Sequence, residues 1–282
     1  RMRWLANGSD ACDCAVRLAR AWTRKPGILS FGYHGSSMVF AHSPQDGGIP
    51  PAYTANTYSL AFGDFNGLDS AFSYWDLAAI IVEVPPEDEE AQEFLRRARV
   101  LCDRNGALLI LDEVVTGFRL ALGGAAAFYK CRPDLVCYGK AMSNGRGISA
   151  IVGREEIMSL LESEVFYSNT YNGDPYNCAF VLATLEILRQ NEQEIYSHIW
   201  SMGRKLILGA DALGIPIVGT GVRSIFNLPE KKRVALCQNL VKAGILMDRP
   251  NYPSLAHTDK SLKQTLDAME RLLNDDASLR PA

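Results

Sequence analysis

Polar residues that directly follow short apolar runs are the first place to look for chemistry, because ligands of open parallel sheets sit outside the carboxyl ends of the strands. The run Leu108 to Leu111 ends in Asp112. A carboxylate there can pair with a cationic ring nitrogen, although capping the following turn is the commoner role. Tyr138-Gly139-Lys140 places an amine just past a second apolar run. A desolvated lysine has a lowered pKa and serves as nucleophile and base, whereas a lysine so placed more often simply faces water. Asn7-Gly8-Ser9-Asp10 opens a helical pattern and offers free backbone N–H groups to a phosphate, or no more than an N-cap. Ser168-Asn169-Thr170-Tyr171-Asn172-Gly173 precedes another helix with hydroxyls and amides, and the same two roles are open to it.

The elements that must position these residues follow from periodicity and punctuation. After the turn at Asn7, Ala11, Ala15, Leu18, Ala19 and Trp22 recur at helical spacing until Pro26-Gly27. Ile28 to Phe31 and Ala78 to Val84 are short apolar runs bounded by Gly, Pro or charge, as buried strands are. Between them, residues 43 to 69 are rich in Gly and Pro and predict an extended loop excursion. A Glu- and Arg-rich helix over about 87 to 104 leads through Asn105-Gly106 into the strand ending at Asp112. Strand, helix, strand is the pattern of parallel pairing by crossover. Strands at Asp134 to Tyr138 and Ile148 to Val152 bracket a glycine-rich turn holding Lys140. Helices follow at about 174–190 and 192–213, with a break at Gly214. Beyond it, short strands (Ile215 to Val218, Ser224 to Leu228) and helices (Glu230 to Ala243, Asp259 to Leu273) predict a small α+β domain. The expected division is a large domain 1–213 and a small C-terminal domain 214–282.

Bulk properties narrow the function classes. At 282 residues, with 48% hydrophobic and 22% charged residues, the chain matches a folded globular protein rather than a disordered one. A net charge of -3 gives no electrostatic reason to expect nucleic acid, and the one dense basic run, Lys231-Lys232-Arg233, reads as the solvated start of a helix. The seven cysteines follow no repeated spacing and read as reduced, mostly buried thiols; the histidines His34, His42, His198 and His257 show no metal-ligand spacing, so no metal is expected. No apolar stretch long enough to span a membrane and no leader segment is evident, so the expected compartment is cytoplasmic.

Taken together and in order, the blocks resemble a family. Asn7-Gly8-Ser9-Asp10-Ala11, Arg17-Leu18-Ala19-Arg20-Ala21 and Tyr33-His34-Gly35 look like the phosphate turn, helix and aromatic platform of class III (fold-type I) aminotransferases dependent on pyridoxal 5′-phosphate (PLP). The segment from Asn105 through Asp112-Glu113-Val114-Val115-Thr116-Gly117-Phe118-Arg119 resembles that family's most distinctive stretch. Pro133-Asp134-Leu135 to Tyr138-Gly139-Lys140-Ala141 resembles its Schiff-base segment. Asn169 to Pro175 and Ala183 to Leu188 continue the order, and Ala256-His257-Thr258-Asp259 is similar to the glutamate-1-semialdehyde aminomutase branch.

The resemblance implies an α/β fold of type I, with a mainly parallel central sheet flanked by helices and a small α+β C-terminal domain. It implies that Lys140 and Asp112 are catalytic, Lys140 as the Schiff-base lysine and Asp112 holding the ring nitrogen protonated. Gly8, Ser9 and Asp10 would bind the phosphate, Tyr33 and His34 would also bind the cofactor, with Tyr33 stacking on the ring, and Val114 would pack on its opposite face. Glu83 would lie near a cofactor oxygen, though the proline that usually follows it is displaced. Thr170 would reach the phosphate of the neighbouring subunit, which implies a homodimer.

The implied activity is ping-pong transfer of an amino group from an amine or amino acid to a carbonyl acceptor. Two competing readings are an aminomutase that returns the group to the same skeleton, and a catalytically silent binding or assembly subunit that keeps the fold. The chain is shorter than the family pattern, mostly ahead of the phosphate turn, where the aminomutase branch is expected to carry part of its substrate pocket. Arg3, Arg119, Arg223 and Arg249 are the candidates for binding a substrate carboxylate.

Overall fold

The computed structural model describes residues 1–40, 47–85, 90–247 and 250–275. Among these, two compact units separate, Arg1–Gln190 and Asn191–Ala282.

The first unit is built on a seven-stranded sheet: β1 (Met2–Leu5), β2 (Gly27–Phe31), β3 (Thr57–Leu60), β4 (Leu77–Glu83), β5 (Leu108–Glu113), β6 (Leu135–Tyr138) and β7 (Ser149–Gly153). Their order is β1-β7-β6-β5-β4-β2-β3. β3, β2, β4, β5 and β6 pair in parallel, while β7 runs antiparallel to both β6 and β1. Strands β2, β4 and β5 are near-continuous apolar runs because both faces are covered. The helices of this unit are α1 (Gly8–Thr23), α2 (Phe65–Tyr74), α3 (Ala91–Asn105), α4 (Gly124–Phe128), the short turns α5 (Glu155–Met158) and α6 (Leu160–Ser163), and α7 (Pro175–Gln190). Helix α1 presents Ala11, Cys12, Ala15, Leu18 and Ala19 to a core shared with Ile81, Ile110, Leu135, Cys137 and Ile151. It ends at Arg24, whose left-handed backbone returns an N–H to Arg20.

The second unit contains α8 (Glu192–Ala212), the antiparallel pair β8 (Ile217–Thr220) and β9 (Arg223–Phe226), α9 (Glu230–Lys242) and α10 (Asp259–Asp275). Leu206, Ala210, Phe226, Leu236, Leu240, Met269 and Leu273 form its core. Because α8 contributes Leu206 and Ala210 to that core, the units divide ahead of this helix, whereas the sequence expectation divided the chain after it.

Three expectations need correction. The stretch 43–69 is not wholly loop: Thr57–Leu60 finds hydrogen-bonding partners along β2, and Asp64 caps α2 by accepting from the Gly67 N–H at 2.8 Å. Ahead of the turn at Asn7, where no element was expected, Met2–Leu5 pairs along β7. Arg233 is buried rather than solvated, because it lies on the face of α9 that also carries Leu236 and Leu240. The start of the helix expected from residue 87 lies outside the described residues, as does His42.

Candidate active site

The carboxyl ends of β2, β4, β5 and β6 lie on one edge of the sheet, and the expected site residues sit there. Glu83 ends β4 opposite Asp112 on β5, and Asp112 is in turn opposite Cys137 on β6. Two residues beyond Tyr138, the last of β6, comes Lys140. This places Asp112 and Lys140 at the ends of adjacent parallel strands.

Helix α1 starts at the same edge, because β1 delivers the chain there. Asn7 is its N-cap: its side chain accepts from Asp10 N at 3.0 Å, and its carbonyl accepts from Ser149 Oγ at 2.6 Å. Gly8 and Ser9 hold the first two helical positions, where backbone N–H groups have no intrahelical acceptor. Asp10 takes part in the same turn. Its N–H is taken by Asn7, and its carboxylate accepts from Asn7 Nδ2 at 3.0 Å and Asn169 Nδ2 at 2.9 Å. It therefore organises the turn, leaving Gly8 and Ser9 to present donors.

Val114 ties this turn to the lysine segment. A Cβ on Gly8 would come within 2.8 Å of Val114 Cγ1, and one on Gly139 within 3.3 Å of the same atom. Only a glycine at position 8 lets the helix start approach so closely. Lys140 itself is exposed and has a φ of 44°, a left-handed conformation that costs a lysine about 1 kcal/mol. Such strain marks a place where the fold over-determines one side chain.

Asp112 is the most constrained group. It is 3% exposed. Its Oδ2 lies 2.9 Å from His34 Nδ1 and accepts from Cys12 Sγ at 3.3 Å, while Oδ1 accepts from the Val114 N–H at 3.1 Å. His34 and Cys12 are buried too. Sequence reasoning counted His34 among the cofactor-binding residues but did not foresee its contact with Asp112, and it missed Cys12. Neither has a local signal, since they lie 78 and 100 residues from the aspartate. Cys12, His34 and Asp112 are also, among the described residues, a set of three potential metal ligands in mutual reach; both contacts to Oδ2 are at hydrogen-bond distance.

Tyr33 is 69% exposed, so its ring is open to a planar partner, and its N–H is held by Glu83 Oε2 at 3.0 Å. Ser9 Oγ accepts from Ser36 N at 3.1 Å, which fastens the segment after His34 to the start of α1. Thr170 is exposed in the turn before α7, next to Asn169.

Three of the four candidate arginines lie among the described residues. Arg3 is exposed on β1 and donates to the Tyr167 carbonyl at 3.5 Å. Arg119 is half-buried in the turn after Thr116, and Arg223 lies on β9 of the second unit with its Nε buried. Arg249 lies outside the described residues.

Next to Asp112, Glu113 is fully buried and accepts the N–H groups of Ala125 at 2.5 Å and Ala126 at 2.8 Å. Gly124, at a φ of 64°, makes this possible, since a Cβ there would meet Glu113 Oε2 at 1.9 Å. Burial pushes the Glu113 carboxyl up to about 7, against the pull of the Ala126 and Ala125 donors. From its ordinary value of 4.5 up to about 7, the folded protein therefore holds a proton that the unfolded chain has released. The stability this proton confers is complete at low pH and is lost as pH rises through that window, a fall on the order of 3 kcal/mol. Urea unfolding of the cofactor-free protein should reproduce this decline, and Glu113→Gln should flatten it. Equal pH slopes for the two proteins would contradict the assignment.

The family model for aminotransferase class-III matches residues 1–273. The chain is 32% identical to a glutamate-1-semialdehyde 2,1-aminomutase of Desulforamulus reducens, over 95% of this chain and 72% of that protein. It is 33% identical to the enzyme of that name from Methanopyrus kandleri, over 97% and 74%. Among solved structures, the FumI protein of Sphingopyxis sp. MTA144, in its PLP internal aldimine form, superposes with a TM-score of 0.88 at 28% identity, covering 99% of this chain and 73% of that one. An omega-transaminase from Sphaerobacter thermophilus shares the fold, with a TM-score of 0.85 at 23% identity over 98% and 74%.

Proposed function

Because the chain belongs to the class-III aminotransferases, a PLP-dependent family, we propose that it moves an amino group from an amine or amino acid to a carbonyl acceptor in two half-reactions, with Lys140 and Asp112 as its catalytic pair. The observation that carries this reading is the state of Asp112: a buried carboxylate with Oδ2 occupied by His34 and Cys12 and with Oδ1 accepting from Val114, one strand from Lys140.

These residues fit pyridoxal phosphate. A buried carboxylate at a strand end suits a protonated ring nitrogen. The first-turn amides of Gly8 and Ser9 suit a phosphate at a helix N-terminus. Val114, pressed against both glycines, offers an apolar surface to a ring, and the exposed Tyr33 offers an aromatic one. When bound, the cofactor supplies an electron sink for charge developing at the substrate carbon that bears the amine.

The protein's part is to hold, orient and move protons. Asp112 keeps a proton on the ring nitrogen. With the cofactor bound, Lys140 would hold it through Nζ, and the same amine, once freed, would be the base that moves a proton at the substrate α-carbon. Glu83, tethered to the Tyr33 backbone, stands at the end of the strand beside Asp112.

Thr170 is assigned to the phosphate of a second copy's cofactor, so the active form is a homodimer. Large apolar side chains exposed on and before α7 support this: Phe166, Tyr171, Tyr176 and Leu182.

Among the described residues no helix is long and apolar enough to cross a membrane, and a cytoplasmic location is proposed. The names carried by the two curated relatives favour a second reading, in which the amino group returns to the same carbon skeleton.

The test is to load the protein with PLP and add amines and amino acids one at a time. A donor should bleach the visible cofactor band, and a keto acid should restore it. Donor nitrogen recovered in a second molecule supports transamination, and its return to the same skeleton supports the aminomutase reading. A band indifferent to every amine would contradict both, and a loaded protein that sediments only as a monomer would contradict the role of Thr170.

A further inference from the structure

Asp112 holds its two oxygens unequally. Oδ2 faces two side-chain donors, His34 Nδ1 at 2.9 Å and Cys12 Sγ at 3.3 Å, whereas Oδ1 accepts from a single backbone N–H, that of Val114 at 3.1 Å. The torsion that turns a carboxylate about its last bond is intrinsically broad. Donors on both oxygens therefore decide which oxygen faces the cofactor side. Cys12 is well placed for this. It stands one turn after Gly8 on α1, so the helix that presents the phosphate donors also carries the thiol that meets the aspartate. The thiol stays protonated: its contact with Cys137, its burial and the nearby Asp112 charge all raise its pKa well above the ordinary value. A protonated thiol facing a carboxylate is the donor of the pair.

Resting on the assignment of Asp112 above, we propose that Cys12 is a positioning residue for the cofactor, its S–H donating to Asp112 Oδ2 so that Oδ1 is the oxygen left for the ring nitrogen. The residue acts through Asp112 and makes no contact of its own with the reacting atoms. An S–H group is a weak donor, so its removal should cost less than loss of a bond from nitrogen or oxygen to a charged group, about three- to tenfold in cofactor affinity.

Cys12→Ser keeps a donor, Cys12→Val removes it while filling the space, and Cys12→Ala removes both; each is made alone and with Asp112→Asn. PLP affinity is read from the visible band, together with the pH at which that band changes in the loaded protein. The thermal midpoint of the cofactor-free protein reads any purely structural effect.

The proposal expects Val and Ala variants to bind PLP about three- to tenfold more weakly and to shift the pH response, with Ser within about twofold of the parent. It also expects no further loss when Cys12→Val is added to Asp112→Asn, as for two residues acting on one contact. Ser and Ala variants equally impaired would overturn it, as would a Val variant that binds normally or a loss that persists in full beside Asp112→Asn. If Asp112→Asn alone leaves PLP binding untouched, the assignment of Asp112 falls and this inference with it. If Asp112→Asn weakens binding and Cys12→Val does not, the inference about Cys12 falls alone.

Discussion

Replacing Lys140 with alanine is expected to lower turnover about ten-thousandfold, because in the proposed assignment one side chain both carries the cofactor and moves the proton. The backbone supports a dedicated role. Lys140 is held at positive φ, directly after a glycine pressed against Val114 and just past the end of β6. Alanine keeps the chain path and removes only the amine. The variant should still bind PLP through the start of α1 and Asp112, but without the absorbance of the covalently attached cofactor. Added small amines should restore a fraction of the rate by moving the proton in place of Nζ. Turnover within tenfold of the parent would mean that another group carries the chemistry.

Asp112→Asn should be the second most damaging change, about a thousandfold in turnover or 4 kcal/mol in the barrier. Asparagine preserves the shape but cannot hold a positive charge on the ring nitrogen. It also presents an amide to a site where Cys12 and His34 supply donors to Oδ2. The loss should fall on turnover more than on substrate affinity, since charge on the ring matters most when the carbon–hydrogen bond breaks. Substrate added at saturating concentration should therefore not recover the rate. A change in affinity alone would assign Asp112 to binding and not to catalysis.

The strand-end places of both residues are legible in the sequence because apolar runs stop there, while the roles proposed for them come from the family resemblance. Strands β2, β4, β5, β6 and β7 were visible as apolar runs, and α1 through its cap and its helical spacing. The direction of β7 was not visible. Ser149–Gly153 has the composition of its neighbours yet runs antiparallel to both, because the antiparallel course follows from how the chain turns after Lys140 and not from residue type. Thr57–Leu60 and α2 were hidden in a stretch rich in turn formers, since the strand is only four residues long and depends on β2 for its pairing. Arg233 looked like surface because charge was visible and the inward face of α9 was not. The surroundings of Asp112 were the least accessible part. Cys12 and His34 reach it only once α1 is packed on the sheet and β2 has taken its place beside β4, so no spacing in the chain announces the cluster.

Lys140 is proposed as the residue that holds the cofactor covalently. Borohydride reduction of the PLP-loaded protein, followed by peptide mapping, should leave a single pyridoxyl adduct on the Nζ of Lys140, absent from the Lys140→Ala protein. An adduct on any other lysine, with Lys140 unmodified, would contradict it.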